Sequence, residues 1–200
     1  VLRIAARHKG KRIVGVGVTV GGIVNSTTGV VELGSVPGWV KVPLQARLQQ
    51  TLGLPVSVEN DVRAAAAAEY HYTNAGELAP KCLLYVVVDE GDGVGLMLDG
   101  EVYTGCSMSS GEFGQMVIAD QGSTRRHDRP GCLESLVSNA AICDRYAAKR
   151  SQRSAKPGDN AARARKVCQL AAAGDPDALH VVNETARCLG LGISNMVWGL

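Results

Sequence analysis

Between Pro55 and Tyr70 the chain reads PVSVENDVRAAAAAEY, a β-branched alternating run that passes without a linker into an alanine-rich one. The alternation over Pro55–Glu59 predicts a strand, and the alanines predict a helix over Val62–Tyr70. Asn60 and Asp61, at the junction, are residues that cap helices. A strand feeding straight into a helix is the building unit of α/β folds, and few other architectures use it.

The flanking sequence agrees. Arg12–Val20, RIVGVGVTV, predicts a buried strand, ended by Gly21-Gly22. GIVNSTTGVVEL predicts two short strands around a polar turn at Asn25–Gly29. Pro43–Gly53 carries proline at the start and glycine at the end, the usual asymmetry of a helix, with Leu44, Leu48 and Leu52 on one face. The loose stretch Thr73–Pro80 suggests a division into lobes over 1–78 and 79–200. Lys81–Asp89 predicts a further strand, followed by Val94–Leu98 and Glu101–Tyr103 around the turn Asp99-Gly100. Gly122–Pro130 is basic and irregular, Cys132–Lys149 predicts one helix, and Ser151–Asp159 a loop. Ala161–Ala173 and Asp175–Trp198 predict two more helices.

Composition removes several function classes. A net charge of +2 over 200 residues is too small to suggest a nucleic-acid surface, and no reading helix is evident. No run approaches the roughly 18–20 apolar residues of a membrane helix, and no signal-peptide pattern opens the chain, so a cytoplasmic protein is expected. The six cysteines, Cys82, Cys106, Cys132, Cys143, Cys168 and Cys188, include no C-x-x-C pair, and free, mostly buried thiols are expected. The chain opens in what reads as the tail of a helix, Val1–Arg7, and closes on the apolar run Ile193–Leu200. Both ends read as cut, as in an interior segment of a longer polypeptide.

Three clusters could carry chemistry. Glu59, Asn60 and Asp61 stand at a strand's carboxyl end, where α/β proteins bind ligands. An Asp there can act as general base on a hydroxyl, or Asn60 and Asp61 can simply cap the helix; the sequence leaves both open. Asp89-Glu90-Gly91-Asp92-Gly93-Val94-Gly95 is a glycine-rich turn of the sort that can present N–H groups to phosphate. With three acids in it, a plain hairpin turn is the better reading. Glu112, Gln115 and Glu134 flank the basic loop, where His127 and Cys132 are too few for a closed metal site and otherwise read as loop polar groups.

Taken in order, VGVGVTVGGIVNSTTGVV, PGWVKVPL, LGLPVSVENDVRAAAAAEY, LLYVVVDEGDGVGLMLDGEVYTG, GEFGQM and GCLE resemble the ROK family of repressors, open reading frames and sugar kinases. The resemblance is close from Arg12 to about Ser138 and looser beyond. It implies an actin-like ATPase (ribonuclease H-like) fold of the α/β class, with a sugar cleft between two lobes. In that family the E-N-D element supplies the base that deprotonates the sugar; the matching residue is Asp61, with Asn60 beside it. Glu112 matches a sugar-binding Glu, Glu134 a further sugar contact, and Gly22 a backbone contact. Gln115 stands where the family has a His that binds both sugar and a structural zinc.

Two departures follow from the same alignment. Arg125 and His127 occupy the places of the first two zinc-binding cysteines, so Cys132 alone of four ligands is kept, the zinc site is degenerate, and no zinc is expected. The kinases' uncharged G-T-G-x-G-x-G phosphate cradle is here DEGDGVG, with Asp89, Glu90 and Asp92 introducing carboxylates; Gly91 and Gly93 would contact ATP only if ATP bound at all. The expectation is a sugar- or amino-sugar-binding and dimerising core of a transcriptional regulator, with DNA contacted by a segment outside this chain and with no cofactor. The alternatives are an ATP- and magnesium-dependent hexose or N-acetylhexosamine kinase, with Asp61 as its base, and a degenerate member with neither activity.

Overall fold

The computed structural model of the chain describes residues 12–73, 80–89, 91–120, 130–150 and 159–200. The expected helix tail Val1–Arg7, Glu90, Arg125, His127 and most of the loop from Ser151 lie outside the described residues. The chain divides into two compact units. The first comprises the chain up to Tyr85 with Gly95–Ser110, and the second Val86–Val94 with Gly111–Leu200.

In the first unit β1 (Val16–Val20) leads into β2 (Gly22–Asn25), β3 (Val30–Gly34) and β4 (Val40–Val42). Then come α1 (Leu44–Leu52), β5 (Val56–Asn60) and α2 (Asp61–Thr73). β1 and β5 pair in parallel, Val16 opposite Val56 through to Val20 opposite Asn60. β2, β3 and β4 form a separate antiparallel sheet. Valines of both sheets meet in one core, where Val24, Val31, Val56 and Val58 are buried against the Leu44, Leu48 and Leu52 face of α1. That face works as its spacing predicts, because residues four apart stack on one side of a helix.

The polar turn between β2 and β3 is fixed locally: the Asn25 Oδ1 accepts from the N–H groups of Thr27 and Thr28, each at 3.1 Å. β1 differs from expectation. It begins at Val16 rather than Arg12, and it is half-buried, since Gly17 and Thr19 are exposed while Val16, Val18 and Val20 pack on the core. Among the described residues β5 is its paired neighbour. β4 was not anticipated, being three residues of which two are exposed.

A third sheet runs in the order β6 (Cys82–Val88), β7 (Asp92–Leu98), β8 (Glu101–Val102). The chain passes from the first unit to the second within β6 and returns within β7. Asp99 and Gly100 close the β7–β8 hairpin with φ of +48° and +90°, the left-handed pair whose twist suits a two-residue hairpin loop.

The second unit continues through a 3-10 turn (Phe113–Gln115), α3 (Leu133–Val137), α4 (Asn139–Lys149), α5 (Asn160–Ala172) and α6 (Pro176–Trp198). Asp159 and Asp175 cap the last two helices, their carboxylates accepting from Ala162 and Ala178 N–H at 2.9 and 2.8 Å. Ile142, Cys143, Ala164, Val167, Ala171, Ala178 and Val181 form the core shared by α4, α5 and α6. The single helix expected over Cys132–Lys149 is in fact two. Ser138 takes extended backbone (φ −59°, ψ 159°) and its hydroxyl caps α4 through Ala141 N–H. Asn139 is meanwhile drawn to Asp89, its N–H donating to Asp89 O at 3.0 Å and its Nδ2 to Asp89 Oδ1 at 2.6 Å. Periodicity could not show a break made by a partner fifty residues away.

All six cysteines are free, as expected, but only Cys132, Cys143 and Cys188 are buried; Cys82, Cys106 and Cys168 are exposed, so the expectation of mostly buried thiols is corrected. Two of the exposed ones lie on the solvent side of a strand start and of α5, where small thiols cost little. Among the described residues no helix is long and apolar enough to cross a membrane.

Gly95 shows how closely β7 approaches α2. A Cβ there would fall 2.7 Å from Val62 O and collide with the Ala66 methyl. Gly95→Ala is therefore expected to cost about 1–3 kcal/mol through overpacking. The check is the urea midpoint, and an unshifted midpoint would refute this packing.

Candidate functional site

β1 and β5 are adjacent parallel strands, and both end at the same level, Val20 opposite Asn60. Gly21-Gly22 and Asn60-Asp61 therefore lie side by side beyond the strands' carboxyl ends, the position at which open α/β sheets take ligands. The two turns are joined directly: the Asn60 Nδ2 donates to Gly22 O at 2.9 Å. Gly22 has φ +110°, and a Cβ on it would overlap Leu33 O and crowd Ser35 N, so both its conformation and its space require glycine. Ser35 N–H donates to Gly21 O at 3.0 Å, which brings a third turn to the same place. A Cβ on Gly21 would stand 2.7 Å from Ser35 Oγ and 3.5 Å from Asp61 Oδ2, so these two polar atoms flank it.

The expected residues divide by what their side chains already do. Asn60 is a helix cap, its Oδ1 accepting from Val62 and Arg63 N–H, each at 3.0 Å. With Nδ2 also engaged, one amide hydrogen of Asn60 is left to reach outward. Asp61 is exposed in the first turn of α2, and its Oδ1 accepts from Val62 N–H at 2.9 Å. There the helix dipole favours an ionised carboxylate. Glu59, though adjacent, faces inward: its Oε1 accepts from Asn60 N–H at 2.7 Å and from Arg63 Nε at 2.9 Å. The two residues thus differ in what their side chains already do. Asn60 is mainly the cap, and Asp61 presents its carboxylate.

Arg63 was not singled out in the sequence, yet it organises this end of the sheet. It is 2% exposed. Its Nη2 lies 2.8 Å from Glu59 Oε1 and donates to Val24 O at 2.6 Å, while Nη1 donates to Met108 O at 3.0 Å. Met108 takes a left-handed backbone (φ +57°), which costs a non-glycine residue energy and is compensated by the bond its carbonyl receives. One cation thus ties β5, α2, β2 and the 104–110 loop together. Its only sequence signal is the i, i+4 pairing with Glu59, which reads equally well as a surface ion pair.

In the second unit the GEFGQ and GCLE segments are stitched to each other. Leu133 N–H donates to Met116 O at 2.8 Å and Ile118 N–H to Gly131 O at 2.9 Å, with an isolated bridge between Val117 and Cys132. This brings Gln115 to Glu134, Nε2 to Oε2 at 3.4 Å, across nineteen residues of sequence. Glu112 is exposed at the start of the 3-10 turn, whose first bond runs from Gln115 N–H to Glu112 O at 3.1 Å. Gln115 and Glu134 are partners rather than scattered loop polar groups.

Cys132 is fully buried and precedes α3, its carbonyl accepting from Ser135 Oγ at 2.7 Å. Among the described residues no group of three His, Cys, Asp or Glu could hold a metal ion. An amide bonded to a carboxylate beside one buried thiol is a poor donor set for zinc, which takes thiolates, imidazoles and carboxylates in a tetrahedron. Among the described residues this donor set does not fit that ion.

Of the glycine-rich turn, Gly91 lies between the strands and Gly93 within β7. The Asp89 carboxylate is occupied by Asn139, as described above.

The sequence matches the ROK family over residues 2–199. The xylose repressor of Caldicellulosiruptor bescii is 28% identical, the match covering 94% of this chain and 48% of that protein. A glucokinase of Halalkalibacterium halodurans is 32% identical over 97% of this chain and 61% of its own length. Among solved structures, a ROK family transcriptional regulator, homologue of E. coli MLC protein, superposes with TM-score 0.81 at 30% identity, covering 98% of this chain and 49% of that one. The chain spans about half to three-fifths of the length of these proteins, and they include both regulators and kinases.

Replacing Arg63 tests the frame on which the strand-end groups stand. Arg63→Met leaves Glu59 without its cation and is expected to destabilise by about 3 kcal/mol or more. Arg63→Lys should recover only part of this, because an ammonium cannot reach three separated acceptors in a plane. Urea unfolding of both variants is the measurement, and wild-type stability of the lysine variant would contradict the role given to the fork.

Proposed function

The chain belongs to the ROK family and has its actin-like ATPase (ribonuclease H-like) fold, and on that premise we propose that it is the sugar-binding core of a transcriptional regulator rather than a sugar kinase. The observation that carries this reading is the turn Asp89–Gly95. Where the resembling kinases have an uncharged cradle, this chain has Asp89, Glu90 and Asp92. Each carboxylate brought to about 4 Å from a phosphate charge costs roughly 1–4 kcal/mol, depending on the dielectric. The Asp89 carboxylate is moreover held by Asn139, which favours a turn that is structural here.

On the sugar side the polar groups are of the kind that bind hydroxyls. Asp61 offers an exposed carboxylate beside Asn60 and the Gly22 backbone, and Glu112, Gln115 and Glu134 offer a second set in the other unit. In this reading Asp61 binds a hydroxyl and does not abstract its proton for transfer. The ligand is a neutral sugar or amino sugar. Its binding changes operator affinity by population shift between states of a homodimer. DNA is contacted by a segment outside this chain, and the protein works in the cytoplasm. We also propose that the protein carries no zinc, the Gln115–Glu134 contact and the main-chain ladder beside it doing the ordering that a metal would otherwise do. Neither ATP nor magnesium is required.

The test uses the full-length protein. Calorimetric titration with a panel of pentoses, hexoses and N-acetylhexosamines should find a ligand, and Asp61→Asn should weaken it about tenfold or more, as expected for loss of a charged hydrogen-bond acceptor. Assayed with ATP and magnesium, the same sugars should show no turnover. Phosphorylation at ordinary kinase rates would overturn the regulator reading, and unchanged affinity in Asp61→Asn would remove the sugar role of the strand ends. Metal analysis returning one zinc per chain would defeat the zinc-free assignment.

A further inference from the structure

A cavity of about 390 Å³ opens between α4 and α6, lined by Arg145, Ala148, Lys149, His180, Val181 and Glu184. Its volume lies within the range of small-molecule sites. Three of the six lining residues carry basic nitrogen and one is acidic. Arg145 is fixed from behind: its Nη2 donates to Leu136 O and to Thr185 Oγ1, both at 2.6 Å. Its Nε is buried without a hydrogen-bond partner. No carboxylate lies within ion-pair distance of this guanidinium among the described residues. Burial lowers the Arg145 pKa, against the pull of Cys188 and Glu184.

Glu184 is a weak counter-charge, because it is shared with Arg187, whose Nε is 3.7 Å from its Oε1. The result is a held, partly desolvated and under-compensated cation at the cavity wall, which ordinary stability does not favour. Lys149 and His180 stand exposed beside it with donors free to turn toward a guest. A concave wall with an excess of positive charge concentrates anions.

We propose that this cavity binds a phosphate-bearing small anion, the guanidinium of Arg145 supplying fixed charge and Lys149 and His180 the direct contacts. A phosphate group suits it better than a planar carboxylate. Arg145 Nη2 is already committed to protein acceptors, so the bidentate fork that favours carboxylates is not on offer, whereas a tetrahedral anion accepts separate donors from several directions. The site is distinct from the sugar-binding groups and does not depend on them. An anion seated there would bridge α4 to α6.

Calorimetric titration of the full-length protein with inorganic pyrophosphate, and separately with glycerol 3-phosphate against glycerol, tests this and tells a free phosphate from a phosphorylated metabolite. Saturable binding of at least one anion, and none of glycerol, is expected. The double variant Lys149→Gln/His180→Gln, altered only at exposed positions, should weaken it about tenfold or more. Glu184→Gln, which removes the lone lining carboxylate, should tighten it, an effect that a merely structural role for these residues would not produce. Asp61→Asn should leave it unchanged, so failure of the sugar reading and failure of this one are separable. No saturable binding in the millimolar range, or affinity unchanged in the double variant, would overturn the proposal.

Discussion

The fork of Arg63 reaches an acidic side chain at its own i−4 position, a carbonyl of β2 and a carbonyl of the 104–110 loop, all from within the protein. Burying a guanidinium is unfavourable unless nearly every donor is met, and here the acceptors come from stretches that have no other reason to converge. The strand ends at Asn60-Asp61 and Gly21-Gly22 are held at one level as a consequence. Asn60 can cap α2 and reach Gly22 O only because β5 stops where Arg63 begins its bonds. Asp61 is left as the carboxylate with an outward-facing role, its neighbour Glu59 having been consumed by the cation. Two acids flanking an amide thus yield one exposed carboxylate, one cap and one counter-ion.

Local rules made much of this legible. The β-branched alternation of Val56–Val58, the leucines of α1, the Asx turn at Asn25 and the capping aspartates of α5 and α6 each depend on neighbours within about four residues, and each is where such rules place it. What sequence could not show depends on partners far along the chain. The helix break at Ser138 is set by Asp89, fifty residues away; the meeting of Gln115 with Glu134 depends on the ladder between 116–118 and 131–133. A serine after a strand, such as Ser35, carries no signal in sequence, and only the approach of Gly21 gives it a neighbour with chemistry. Arg63 is the opposite case: its signal is present, but an i, i+4 Glu–Arg pair says nothing about burial.

Resemblance rather than local physics points to the candidate sugar groups, and the structure explains why local physics is silent. Asp61 in isolation is a good first-turn residue, and Glu134 is too, since both stand in the first turn of a helix. A carboxylate serving a ligand and one serving a helix dipole have the same sequence. They differ only in what surrounds them: Asp61 has the glycine turn and Ser35, Glu134 has Gln115.

The hydrogen bonds that frame the strand-end groups and those that shape the phosphate turn belong to different sets. Among the described residues the hydrogen bonds of Arg63 and Asn60 are made within the first unit, and Asp89 is tethered to α4 through Asn139. Carboxylates can therefore accumulate in the turn without disturbing the Asn60–Gly22 contact, and no compensating change in the first unit is required. One of these acids, Asp89, is held at the start of a helix through Asn139. On the proposed reading that separation is the physical reason one fold accommodates both glucokinases and xylose repressors among its relatives. On that reading phosphoryl transfer would require the turn as well as the strand ends, whereas binding a sugar would leave the turn free to change.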